Sequence, residues 1–177
     1  VRAGGIDITA QLEGGAIGGQ LSMRDELIPE YQDDLDQLAY DVATQLNAVH
    51  TGGYDLNGNT GPLLYLPLAT VQGAAAALEF NPAVAANSSL IAASSTGAPG
   101  DNGTAKDLAA LRTQNVARGG TATFTASWSQ IVAKVGTDSA NAKNSLETRQ
   151  DVVGAIQKLR DSVSGVSLDE EAGRLMQ

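Results

Sequence analysis

Few side chains in this sequence could perform chemistry, and histidine is the scarcest of them. The chain contains one histidine, His50, and no cysteine. Paired-histidine and cysteine-based metal sites are therefore excluded, and any serine nucleophile would have a single imidazole to activate it. His50 lies near the end of a predicted helix, where a structural role is the more typical one. We predict no catalytic residues, no metal site and no cofactor.

Two polar loops are similar to ligand-binding loops. The loop Asp55–Asn59 begins like a calcium loop, with oxygen-bearing side chains at alternating positions. Thr60 then stands at the glycine position and Leu66 at the position of the bidentate glutamate, so a tight Asx turn is the better interpretation. The loop 100–104 has no lysine and lacks the phosphate-loop spacing, and Thr104 is predicted to cap the next helix.

Composition limits the class of protein. The 177 residues carry a net charge of −9, with 42% hydrophobic and only 4% aromatic residues. Such a chain can bury a core, and its few aromatics favour closely packed helices over a pocketed enzyme. The acidic balance argues against binding to nucleic acid or to an anionic membrane, and no apolar run is long enough to span a bilayer. Because it begins at Val1, we expect a piece of a longer protein.

Periodic patterns predict the elements that would hold these residues. An alternating run and paired glycines predict a strand and glycine turn over residues 1–19. Apolar steps of three and four predict a long helix over 20–53, opened by a capping box at Ser22 and Asp25 and stopped by Gly52-Gly53. Pro29 should either kink this helix or open its main part. Asp33, Asp34 and Asp36 should face water.

The remaining chain alternates an irregular stretch with a second long helix. Residues 54–121 predict a β-rich insert with a short helix at 104–114, and Asn81-Pro82 predicts the start of a one-turn helix. A near-heptad stripe predicts a helix over 122–164 with a coiled-coil-like partner. Residues 165–177 would begin a truncated C-terminal segment.

The resulting fold class is mainly α with a small β part. We predict that long antiparallel helices form a rod-like bundle with the short-stranded β insert at one end. The apolar residues predicted to form its core are Tyr31, Leu35, Leu38, Val42, Leu46, Trp128, Ile131, Val135, Leu146, Val153 and Ile156.

Four stretches of sequence resemble motifs of one family. They are the words GGQL…RDE at 18–26, LDQLA…NAVH…GYDLNG at 35–58, PGDN at 99–102 and SGVSLDEEA at 164–172. Together they resemble the FlgK family of bacterial flagellar hook-associated proteins. The motif residues are Arg24, Asp25, Gly53, Asp55, Asn57, Gly58, Gly100, Asp101, Asn102, Gly165, Leu168, Asp169, Glu170 and Glu171.

The resemblance implies a structural protein of the flagellum and not an enzyme. It implies type III export, an extracellular location, and a ring of subunits at the hook–filament junction. The implied partners are further copies of the protein, the hook protein, the third hook-associated protein and an export chaperone that binds mostly outside this chain. Asp33, Asp34, Lys143 and Arg149 are expected to contact neighbouring subunits. The alternatives are another axial protein, such as the third hook-associated protein or a flagellin, and a hydrolase or sugar-binding module.

Overall fold

The computed structural model describes residues 2–3, 5–7 and 14–164. Over these ranges the chain is mostly helical with few strands, as the sequence predicts. It divides into two compact units, residues 1–132 and 133–177. The motif residues Gly165, Leu168, Asp169, Glu170 and Glu171, and the whole predicted segment 165–177, lie outside the described residues.

The N-terminal segment is a hairpin followed by a helix. Strands β1 (Arg2–Ala3) and β2 (Ile6–Asp7) pair in antiparallel register, with Gly5 at φ +84° between them. Residues 8–13, predicted to continue the strand, lie outside the described residues. The predicted glycine turn does not extend to Gly18 and Gly19, since α1 (Gly15–Ser22) runs through both. A glycine costs a helix only about 1 kcal/mol, so it does not by itself stop one.

Helical backbone then continues through the predicted cap to the end of the long helix. A π turn (Met23–Leu27) joins α1 to α2 (Ile28–Thr51), and the backbone stays in the right-handed helical region at both junctions. The capping box is therefore wrong, because the Ser22 hydroxyl bonds Glu26 within a helix. Pro29 lies in the first turn of α2, directly after the π turn. The wider π turn accommodates a residue that has no N–H to donate. Gly52 caps α2, as predicted.

The segment between the two long helices is irregular but is not the predicted β insert. It contains α3 (Ala74–Ala77), α4 (Pro82–Ala86), a 3₁₀ turn (Ser88–Leu90) and α5 (Gly103–Ala110). Its β pairing is limited, in the described chain, to isolated bridges such as Tyr65–Phe80. We call residues 52–123 the insert. Its two short apolar runs bond each other, from the Leu66 N–H to the Glu79 carbonyl and from the Asn81 N–H to the Leu64 carbonyl, and a side chain of α2 bonds the first run as well.

Local capping decides where the short helices and the second long helix begin. The Asn81 side chain accepts from the N–H of Ala83 ahead of α4, which confirms the predicted Asn-Pro start. The predicted cap at Thr104 is wrong: α5 starts at Gly103, and the Thr104 hydroxyl donates to the Ser94 carbonyl. Helix α6 (Phe124–Ser164) begins where the Thr123 hydroxyl accepts from the N–H of Ala126.

The core of the first unit is built largely from alanine. Its buried apolar residues are Ala39, Ala43, Ala74, Val84, Ala92, Leu111, Ala117, Ala122 and Ile131. Of the residues predicted to share one core, Ile131 is buried, whereas Tyr31, Leu38, Val42 and Leu46 are half-buried. The larger apolar side chains Leu35, Trp128, Val135, Leu146, Val153 and Ile156 are exposed. The insert packs on a face of α2 that is small and polar, which leaves the apolar stripe of α2 only partly covered.

Candidate functional site

One face of α2 binds the insert through polar side chains that the hydrophobic pattern of the sequence does not reveal. Its buried residues are Asp36, Ala39, Ala43 and His50, at helical steps of three, four and seven. A step of one residue turns a helix by about 100°, and this face is turned by roughly that angle from the predicted apolar stripe. The signal in the sequence that could have identified this face is the helical spacing that its polar residues share with the small alanines.

Asp36 holds the start of α3. Its carboxylate oxygens accept from the N–H groups of Gly73 at 2.6 Å and Ala75 at 2.8 Å. A carboxylate at a helix N-terminus satisfies free N–H groups and lies at the positive end of the helix dipole. The prediction that Asp36 faces water is wrong, because the residue is 8% exposed.

Arg118 joins a second side of α2 to the start of α6. Its backbone N–H donates to Asp41 at 2.8 Å, and its guanidinium donates to Asp34 at 2.9 Å and to the Ser127 hydroxyl at 3.1 Å. Arg118 has φ +51°, an unfavourable region for a side chain with a Cβ, so these bonds must hold it there. Asp34 therefore has a partner within the chain, contrary to the expectation that it faces water.

Asn47 fixes the extended part of the insert. Its Oδ1 accepts from the N–H groups of Leu64 at 2.7 Å and Tyr65 at 2.9 Å, and its Nδ2 donates to the Tyr65 carbonyl at 3.0 Å. These are bonds that a neighbouring strand would make. A side-chain amide offers both a donor and an acceptor, so one residue of α2 replaces a strand edge.

His50 ends the same face. Its ring is 0% exposed, with Nδ1 2.6 Å from the Pro62 carbonyl and Nε2 accepting from the Ala92 N–H at 2.8 Å. The glycine at position 61 is required here, since a Cβ would overlap the His50 carbonyl and lie 2.7 Å from the Ala92 Cβ. His50 has a structural role in this packing.

The Asp55 loop is an Asx turn. Oδ1 of Asp55 accepts from the N–H groups of Asn59 at 2.9 Å and Asn57 at 2.8 Å, and these bonds hold the pKa of the carboxyl below its usual range. Gly58 takes φ +78° in the turn. The Asp55 carboxylate is thus turned toward its own loop.

Asp101 organises the second polar loop in the same manner. Its Oδ2 accepts from the Ser94, Ser95 and Thr96 hydroxyls, and Oδ1 accepts from the Gly103 N–H at 3.0 Å. These donors, first among them the Ser94 hydroxyl, hold the pKa of the Asp101 carboxyl far below its usual range. Gly100 takes φ +85° and Asn102 precedes the first residue of α5.

Two other motif residues have plain structural positions. Arg24 and Asp25 form an ion pair at 2.6 Å on the exposed surface of the π turn, where a pair contributes little to stability. A Cβ at Gly53 would overlap the Thr104 side chain, so glycine permits α5 to approach the end of α2.

The described residues contain no group of three metal-ligating side chains close enough to hold an ion. An open cleft of about 400 Å³ lies beside the end of α2, bordered by residues such as Val49, Thr104 and Asp107. None of the helices over the described ranges combines the length and apolar character needed to cross a bilayer.

Helix α6 presents an apolar stripe over most of its length. Val135, Leu146, Val153, Ile156 and Val163 recur at steps of eleven, seven, three and seven, which fit a heptad pattern, and they are 42–82% exposed. A repeat of this kind is the seam of a coiled coil, in which each side chain inserts between four residues of a facing helix. The predicted seam is therefore present, and its residues are exposed in the part of the chain that the structure describes.

Part of the chain is similar to known proteins. Residues 2–65 match the model described as "Flagellar hook-associated protein FlgK helical domain". A 75-residue stretch is 40% identical to Flagellar hook-associated protein 1 of Salmonella typhimurium and of Salmonella typhi, covering 42% of this chain and 13% of each relative. The corresponding Escherichia coli K12 protein is 33% identical over 75 residues, covering 42% of this chain and 14% of the relative. The resemblance drawn from the sequence is confirmed: residues 2–65 are related to the helical domain of the FlgK family of flagellar hook-associated proteins.

Proposed function

We propose that the chain is a structural part of an axial protein of the bacterial flagellum, one that joins hook to filament. The observation that carries the proposal is the exposed heptad seam of α6 in a chain related to flagellar hook-associated proteins. A surface with this repeat is built to be covered by other helices. We expect the covering helices to come from the rest of the full-length protein and from neighbouring subunits, in a rod-like bundle.

The proposed setting follows from the same relationship. The protein would be exported by the type III apparatus, assemble outside the cell, and contact further copies of itself, the hook protein and the third hook-associated protein. A chaperone would bind it before export. The role is mechanical: buried apolar seams resist shear, and each fully covered Val, Leu or Ile contributes roughly 1.5–3 kcal/mol. We no longer include Asp34 among the residues proposed to contact neighbouring subunits, because it forms an ion pair with Arg118 in the same chain.

Substitution on the seam tests the proposal. In the full-length protein, Leu146→Glu would place a charge in the seam, whereas Asn144→Glu adds the same charge to a different, solvent-facing side of α6. We expect cells that produce the Asn144→Glu protein as their sole copy to swim normally. Cells with Leu146→Glu should shed filaments, with monomeric filament protein accumulating in the medium.

Two measurements separate the causes of a failure. Immunoblots of the medium show whether each variant is exported, and circular dichroism of the purified fragments shows whether α6 still forms. Wild-type motility and filament attachment with Leu146→Glu would refute the seam as an assembly surface. Rescue of a strain that lacks the third hook-associated protein, but not of a strain that lacks the junction protein, would favour the other axial role.

A further inference from the structure

We propose that His50 is an acid-sensitive latch, in which protonation of Nε2 releases the insert around Ala92 from the C-terminal end of α2. The bonds at the two ring nitrogens define the protonation state. The Pro62 carbonyl can only accept, so Nδ1 carries the proton of the 2.6 Å bond. The Ala92 N–H can only donate, so Nε2 must be a bare acceptor in the 2.8 Å bond.

A second proton on the ring has no acceptor in this packing. An imidazolium would place its Nε2–H against the Ala92 N–H, two donors facing each other. The ring and Ala92 are both 0% exposed, so water does not reach the pair to accept the proton. Gly61 closes the other side, where even a Cβ would lie 2.8 Å from Nδ1. The latch must therefore open before it can take up a proton at Nε2.

The charged groups nearby do not stabilise an imidazolium. On α2, the neighbouring polar residue of the same face is Asn47, which is neutral and bonded to Leu64 and Tyr65. Asp55, in the loop that follows α2, is bonded to its own turn. Segments 61–64 and 88–95 carry no ionisable side chain, and Asp107 of α5 lies on the open cleft. Both ring nitrogens are occupied by backbone groups, so none of these carboxylates pairs with the ring.

The direction of the pH response follows from proton uptake. The opened form binds one more proton than the closed form, so lowering the pH through the range in which histidine titrates favours opening. The response should be local, because Asp36, Asp41 and Asn47 hold other parts of the insert by bonds that histidine does not enter.

A chain with one histidine makes the test direct, since every imidazole signal belongs to His50. Nitrogen-15 NMR should show the Nδ1–H tautomer at pH 7.5. Amide hydrogen exchange between pH 7.5 and 5 should show the Ala92 protection factor falling, toward about tenfold per pH unit once the ring titrates. The Ala117 N–H, which donates to the Ala122 carbonyl, serves as the reference amide and should keep its protection.

The variant His50→Gln provides a matched control, because its amide oxygen can accept from Ala92 but does not titrate in this range. Its Ala92 protection should be independent of pH from 7.5 to 5, whatever its absolute value. Protonation of the wild-type ring without loss of Ala92 protection would overturn the proposal. So would an Ala92 protection factor that stays constant to pH 5, or an equal pH-dependent loss in His50→Gln.

Discussion

Replacing Asp36 by alanine should remove the anchor of α3 and destabilise the first unit by about 3 kcal/mol. Asp36→Ala deletes two hydrogen bonds to a charged acceptor, each of which contributes about 1.5–3 kcal/mol. The lower end of that range applies, because Gly73 and Ala75 are exposed and their N–H groups can turn to water once the carboxylate is gone. Three kcal/mol corresponds to roughly a 150-fold change in the unfolding equilibrium.

Asp33→Ala is the control. Asp33 lies on the same helix and carries the same charge, but it is exposed, so its removal should change the free energy of unfolding by less than about 0.5 kcal/mol. Urea unfolding followed by circular dichroism gives both free energies, and the exchange rates of the Gly73 and Ala75 amides should rise in Asp36→Ala alone. If the two variants unfold at the same urea concentration, the carboxylate does not anchor the insert and the reasoning fails.

Further predictions concern glycine and acid pH. Gly61→Ala should destabilise the protein by about 3 kcal/mol in urea, because the new Cβ meets the His50 backbone, whereas Gly154→Ala, with open space at its Cβ, should stabilise α6 by about 1 kcal/mol. Equal effects of the two substitutions would contradict this steric account. Because the pKa of Asp101 is lowered by folding, its contribution to stability is present above the ordinary carboxyl pKa of about 4 and is lost as the pH falls below it. The thermal midpoint of Asp101→Asn should therefore fall less than that of the wild type between pH 5 and 2, and parallel pH profiles would argue against it.

The positions of the long helices could be predicted because their causes are local. The C-terminal end of α2 was predicted from apolar steps of three and four followed by glycines. The start of α6 was predicted from the heptad repeat to within two residues. Asn81-Pro82 likewise encodes α4 by a bond between a side chain and a backbone group two residues on. The sequence motifs indicated the family from residue types alone. The motif at 164–172 remains a prediction.

The insert could not be predicted because its causes are distant in sequence. Asp36 bonds a backbone N–H 37 positions away, and Asp41 bonds one 77 positions away. Before folding, Asp36 is indistinguishable from the solvated Asp33 beside it, and the short apolar runs of the insert are indistinguishable from strands.

Two long helices, one of them with a heptad seam, and a composition of one histidine and no cysteine can be read from the residue order alone. The buried face of α2, in contrast, depends on contacts between distant parts of the chain. Hydrophobic periodicity identifies the most apolar stripe of the helix. The insert instead packs on the face where small alanines allow its backbone to approach and where polar side chains bond its N–H and carbonyl groups. Over the described residues, the apolar stripes of α2 and α6 stay half-buried or exposed.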